Sequence, residues 1–170
     1  MPSEVTTTYL EMLTAPGEAA REAPRGTSVM RSEEPTASFY RFLYHTVGEP
    51  WHWLDRRQLS DDELLSRLAD AELYVLYDRG TPAGYSELVP RGPEVKLEYF
   101  GLMPEFVGRG LGGWFLEWTV RRAWNREAVS RVWVHTCTLD HPAALPLYRK
   151  VGFQIYDRKT EANPYGAGPG

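Results

Sequence analysis

Between residues 107 and 113 the chain reads Val-Gly-Arg-Gly-Leu-Gly-Gly, with a strand-like run before it and an apolar helical run after it. No other stretch constrains the fold as much. Glycine has no Cβ, so it tolerates positive φ and lets a ligand come close to the main chain. At a helix start the first four N–H groups have no partner inside the helix, and the helix dipole adds positive potential there. Both effects converge on one point, which suits an anion such as a diphosphate. Arg109 adds a mobile cation. The plainer alternative is a glycine-rich turn that only redirects the chain.

The flanking segments predict the surroundings of this loop. Residues 72–77 and 83–89 read as strands joined through Asp78-Arg79-Gly80, a hairpin signal, and residues 94–103 as a third strand joined by a Pro-containing turn. A helix is predicted over 37–47 from Phe39, Phe42, Leu43 and Thr46, stopped by Gly48 and Pro50. Ser60, Asp62 and Glu63 form an N-cap signature for a second helix carrying Leu64, Leu65 and Leu68. After the glycine loop, Trp114, Phe115, Trp118 and Val120 mark a helix ending in arginines. Residues 131–137 follow as a strand, about 142–151 as a helix capped by Gly152, and 153–156 begin a final strand. Pro146 inside the last helix requires either a start close to it or a distorted first turn. Residues 5–13 alternate weakly as a first strand, with a Pro/Gly-containing loop expected up to about residue 35, and residues 163–170 read as a flexible tail. The order belongs to the α+β, or mixed, class, and a single domain over 1–162 is expected.

Composition narrows the function classes. A chain of 170 residues, 42% hydrophobic and 25% charged, matches one ordinary globular domain. Cys137 is the single cysteine, which excludes an internal disulfide framework and a cysteine-based zinc cluster, and His45 and His135 lack metal-ligand spacing, so no metal is expected. A net charge of −4 gives no general attraction to nucleic acid. The opening MPSEVTTTYLEML lacks a secretory pattern and no apolar run is long enough to span a bilayer, so a cytoplasmic protein without membrane contact is predicted.

Three phosphate-binding patterns compete for the loop. A P-loop is excluded because Trp114 and Phe115 stand where Lys and Ser/Thr are required. Gly108, Gly110 and Gly113 match G-x-G-x-x-G, but the preceding strand belongs to an antiparallel meander and no acidic residue closes the next strand. Over residues 72–157 the chain resembles the GNAT superfamily of N-acetyltransferases: AGYSEL, LEYFGLMPEF, VGRGLGG and HPAALPLYRKVGF are similar to four of its segments, in the family's order. Val107 departs from the family's usual Gln/Arg, and His141 stands where the family often has Asn.

The resemblance implies a central, mostly antiparallel mixed sheet flanked by helices, with a V-shaped strand opening for CoA. It implies an acetyl-CoA-dependent N-acetyltransferase acting by direct attack of a primary amine on a small or amino-acid-like acceptor. Alternatives are a protein or peptide amine as acceptor, or a non-catalytic acyl-CoA sensor; a homodimer is left open. Carried onto this sequence, Val107, Gly108, Arg109, Gly110, Leu111, Gly112, Gly113, Leu102 and His141 would contact CoA. Glu98 would be the general base, with Glu87 as its substitute and as an acceptor contact, and Tyr148 would serve the departing sulfur. Trp51 and Trp53 fall where the family covers its acceptor pocket; the plainer reading gives them to the core and Asp55-Arg56-Arg57 to solvent. Period-two alternation puts Val95, Leu97 and Tyr99 on one face and Lys96, Glu98 and Phe100 on the other.

Overall fold

The computed structural model describes residues 2–166; residues 167–170 of the predicted tail lie outside the described residues. In chain order the elements are β1 (Glu4–Met12), β2 (Thr27–Ser32), α1 (Ala37–Gly48), α2 (Asp61–Leu68), β3 (Glu72–Asp78), β4 (Thr81–Arg91), β5 (Glu94–Leu102), α3 (Leu111–Trp124), β6 (Arg131–Cys137), α4 (Ala144–Val151) and β7 (Gln154–Ala162). The strands form one sheet in the order β2-β3-β4-β5-β6-β1-β7. Only β5 and β6 pair in parallel; every other pair is antiparallel. No described helix is long and apolar enough to cross a membrane.

Local chemistry explains the helix starts. Thr36 Oγ1 accepts from the Phe39 N–H, and Ser60 and Glu63 form a reciprocal capping box on α2. Pro146 is the third residue of α4, where an N–H would have no helical acceptor anyway, so the helix begins close to its proline without losing a bond.

The predicted loop before residue 35 is corrected in part: Thr27–Ser32 is an edge strand on β3. None of its residues is fully buried and Met30 is 63% exposed, so its period-two signal is faint. β1 lies far from its neighbours in sequence, between β6 and β7, with Leu10 and Met12 buried beside Val132 and Val134.

Two cores sit on opposite faces of the sheet. Under α3 and α4 the packing is largely aliphatic, with Leu97, Leu116, Val120 and Val134 at its centre. Under α1 and α2, Tyr40, Tyr44 and Tyr85 pack with Leu43, Leu64 and Val75. Helix α1 rests directly on β5: a Cβ on Gly101 would come within 2.3 Å of Val47 Cγ1.

The feature that makes a site is the parting of β5 from β6. Their register holds only for Glu94 with Arg131, Val95 with Val132 and Lys96 with Trp133. Just beyond, the β4–β5 ladder shifts: Leu88 faces Leu97, Glu87 faces Tyr99, and Glu98 is the extra residue of a bulge. The bulge overturns the strict alternation predicted for β5. Phe100 joins Val95 and Leu97 on the α3 face, while Tyr99 packs into the α1 core.

Candidate active site

Past Lys96 the two strands enclose a cleft of about 570 Å³. Its floor is the end of β5, from Leu97 to Leu102, and the end of β6, from Val134 to Cys137. One wall is the glycine loop with Leu147 and Tyr148; the other carries Trp51, Trp53 and Asp55 from the segment after α1.

In the glycine loop, Gly108 and Gly110 have φ of +82° and +77°, and Gly110 is the N-cap of α3. The Val107 N–H reaches Pro104 O at 3.4 Å, and the N–H groups of Gly108 to Gly113 have no carbonyl partner among the described residues. At Gly112 an added Cβ would meet Leu102 Cδ1 at 3.5 Å, and at Gly113 it would meet Leu147 Cδ1 at 3.7 Å, both ordinary contacts. The protein itself leaves room for alanine at these two positions. What glycine keeps open is the approach from the cleft to the main chain, which fits the diphosphate of a coenzyme laid across the start of α3.

Of the residues expected to contact CoA, Val107, Gly108, Gly112, Gly113, Leu102, His141 and Tyr148 line the cleft, and Arg109, Gly110 and Leu111 do not. Arg109 lies over the Phe106 ring at 5.0 Å, and Leu111 is buried in the core. The Met103 N–H pairs with Ala83 O on β4 at 2.8 Å. Alternation along the strand therefore turns the Leu102 N–H the other way, toward the gap left by β6.

Tyr148 is 6% exposed, and no hydrogen bond holds its hydroxyl among the described residues. Burial, helped by Asp140, pushes its phenol above the usual value, so it stays protonated through neutral pH. His141 accepts the Ala143 N–H at Nδ1 and meets the Trp51 ring at 4.7 Å, so residues expected on opposite sides of the cleft touch. Trp53 Nε1 donates to Asp140 Oδ1 at 3.4 Å, a second link across the opening. Asp140 Oδ2 accepts from Thr136 Oγ1 at 2.6 Å and from the Cys137 N–H at 2.9 Å. Cys137 is half-buried and lines the cleft; burial and Asp140 push its thiol up. His135 is exposed to the cleft, and the atoms crowding it together with Lys96 lower its pKa.

Glu98 lines the cleft and pairs with Lys96 Nζ at 3.0 Å. Glu87 does not line the cleft. It is fully buried, and its Oε1 accepts from Tyr40 Oη and from Arg56 Nη1, each at 2.7 Å. That burial keeps it from both expected roles, substitute base and acceptor contact. The sequence also hid Arg56 inside an apparently solvated charge cluster: Asp55 and Arg57 are exposed, but Arg56 is 5% exposed, with its guanidinium 4.7 Å from the Tyr99 ring centre. Asp140 was missed as well. Its only trace is a short polar side chain at the end of a strand, four residues after a threonine, a pattern too common to single out. Among the described residues no group of His, Cys, Asp and Glu is placed to hold a metal.

The site thus joins a mixed sheet opened between two parallel strands to bare amides at a helix start that face the gap. The family model described as Acetyltransferase (GNAT) family matches residues 32–153, and the chain belongs to that family. A GCN5-related N-acetyltransferase from Kribbella flavida superposes with a TM-score of 0.64 at 16% identity, covering 95% of this chain and 59% of that one. A GCN5-related N-acetyltransferase from Sphaerobacter thermophilus gives 0.64 at 19% identity, covering 91% and 49%. A tandem GNAT protein of the clavulanic acid biosynthesis pathway gives 0.59 at 18%, covering 94% and 53%. The chain thus spans about half to three-fifths of these relatives' length. No curated protein matches its sequence.

Proposed function

We propose that the protein is an acetyl-CoA-dependent N-acetyltransferase that acetylates a primary amine of a small or amino-acid-like molecule by direct attack. The observation that carries this reading is the convergence, in one cleft, of the unpaired amides of Gly108, Gly112 and Gly113 with the unpartnered Tyr148 hydroxyl. Acetyl-CoA supplies an activated thioester carbonyl and a thiolate leaving group.

The chain's own groups meet the remaining demands. Main-chain N–H groups of the glycine loop hold the diphosphate, and the start of α3 favours its charge. The Leu102 N–H donates to the carbonyl oxygen as negative charge gathers there. An alkylamine with pKa near 10.4 is neutral in about one part in 2,500 at pH 7, a cost of roughly 4–5 kcal/mol. Glu98 takes the proton that the amine must lose, directly or through water, while Lys96 steadies the carboxylate. The Tyr148 hydroxyl, held protonated by its burial, donates a hydrogen bond to the departing sulfur and stabilises the thiolate as its charge develops. Trp51, Trp53 and Tyr99 wall the acceptor side and keep water out.

Thiol release from acetyl-CoA across an amine panel tests this, with Tyr148→Phe and Glu98→Gln beside the parent. Turnover that falls about a hundredfold in Tyr148→Phe is the expected result. Strong thermal stabilisation by CoA with no turnover on any amine would replace the enzyme by an acyl-CoA sensor.

A further inference from the structure

The acceptor side of the cleft is acidic. Asp55, Glu98, Asp140 and Glu161 line it, and no lysine or arginine does among the described residues. Two of the four are already engaged, Glu98 by Lys96 and Asp140 by Thr136, Trp53 and the Cys137 N–H. Asp55 and Glu161 are exposed to solvent and take part in no salt bridge among the described residues. The buried Arg56 cannot serve them, since Glu87 holds it.

Their positions fall on one side of the sheet. Glu161 is paired with Val5, in the same alternating set as Thr7 and Tyr9, and Leu10 and Met12 point into the opposite, aliphatic core. Asp55 follows α1, which covers the same side as Glu161. The field of Asp55 crosses the opening: burial and then Asp55 raise the Tyr165 phenol on the far arm. The same space is walled by Tyr44, Trp51, Trp53, Tyr99 and Tyr165, whose ring faces attract cations. The Tyr148 ring is buried, and its hydroxyl, which has no hydrogen bond among the described residues, opens onto this cleft and is free to meet a ligand atom there.

We propose that the acceptor carries a second cationic group beside the amine that reacts, and that Asp55 and Glu161 hold this second cation at the cleft mouth against the aromatic wall. The inference rests on the cleft being the acceptor site, and it narrows the acceptor from amino-acid-like molecules to diamines and polyamines. A free carboxylate on the acceptor would meet four acidic side chains and no lysine or arginine.

Three amines of one chain length separate the cases: 1,5-diaminopentane, pentylamine and 5-aminopentanoate. Thiol release gives kcat/KM for each, and calorimetry on the protein–CoA complex gives each affinity without any need for turnover. The diamine should lead pentylamine by about tenfold in both, with the amino acid weakest, and the lead should shrink as salt screens the carboxylates. In the double variant Asp55→Asn with Glu161→Gln, the diamine-to-pentylamine ratio should fall to within about twofold while CoA still stabilises the fold as in the parent. Equal affinity for diamine and pentylamine, preference for 5-aminopentanoate, or an unchanged ratio in the variant would overturn the inference, even if amines are acetylated. Tight diamine binding without thiol release on any amine would instead overturn the transferase reading and leave the charge preference standing.

Discussion

The two faces of the sheet are built from different chemistry, although both are buried. Under α3 and α4, Leu97, Leu116, Val120 and Val134 make a largely aliphatic core, beside which the buried Thr119 hydroxyl donates to Ser86 Oγ at 3.0 Å. Under α1 and α2, an ion pair between Arg56 and Glu87 is sealed among Tyr40, Tyr85 and Tyr99. Glu87 Oε2 and the Tyr85 hydroxyl have no well-formed hydrogen bond among the described residues, so this face carries polar cost as well as polar bonding. A buried ion pair adds little net stability over apolar packing, because desolvation offsets most of the attraction. What it does here is tie the segment carrying Trp51, Trp53 and Asp55 down to β4 by one side chain. The aliphatic face supports the amides and the tyrosine; the polar face anchors the acceptor wall.

The largest effect tests that contrast. Glu87→Ala leaves the Arg56 guanidinium buried without a countercharge, its bond to the Tyr40 hydroxyl remaining, and urea unfolding should show a loss of about 3–5 kcal/mol. Replacing both, as Arg56→Met with Glu87→Leu, should recover most of it. Leu116→Ala on the other face should cost about 2–5 kcal/mol through a cavity. A loss below about 1 kcal/mol for Glu87→Ala would show that the two faces do not differ as described.

Next in size is Tyr148→Phe. Because no bond holds the hydroxyl, stability should stay within about 1 kcal/mol of the parent, while kcat falls about a hundredfold. The sign of the pH effect follows from the same burial. The phenol must be protonated to act, and its pKa is raised above its usual value near 10, so its ionisation should cause no alkaline fall in rate below about pH 10. A fall centred near pH 8 that disappears in Tyr148→Phe would contradict this assignment.

A smaller test sets folding against binding. Gly112→Ala places a methyl where the protein has room, inside the first turn of α3, and alanine favours helix over glycine by up to about 1 kcal/mol. Thermal stability should therefore hold or rise while CoA affinity drops about tenfold. Parallel loss of both would mean that the glycine serves the fold instead of the ligand.

Much of this was legible before any coordinates. Caps and turns carried local signals strong enough to place α2, β3, β4 and the start of α3 within a few residues, because each depends on a side chain near its own backbone, and β-branched and aromatic residues placed β6. β2 escaped because an edge strand buries too little to pattern its sequence. The bulge at Glu98 escaped because it arises from pairing with β4, and it changes which face Tyr99 and Phe100 occupy. Arg56 escaped for a related reason: its partner Glu87 stands 31 residues away, and nothing near it in sequence distinguishes it from the exposed Arg57. Long-range pairing decides which charges are buried, and local pattern does not record it.

The smallest expected effect concerns Cys137, which can report which side of the cleft a ligand fills. It alternates with Val134 and Thr136 on β6, so its thiol belongs to the same side as His135, away from the aliphatic core. Burial and then Asp140 raise its pKa, so the thiolate is scarcer than in a free cysteine at any pH below the raised value. Alkylation by iodoacetamide at pH 8 should therefore run slower than on a free thiol and gain about tenfold per pH unit until that value is passed. If the glycine loop and the acidic wall serve two different ligands, 1,5-diaminopentane should slow the labelling a few-fold further in a protein already saturated with CoA. Protection by CoA alone that the diamine does not deepen would mean that one ligand fills both sides, and the division of the cleft by faces would fail.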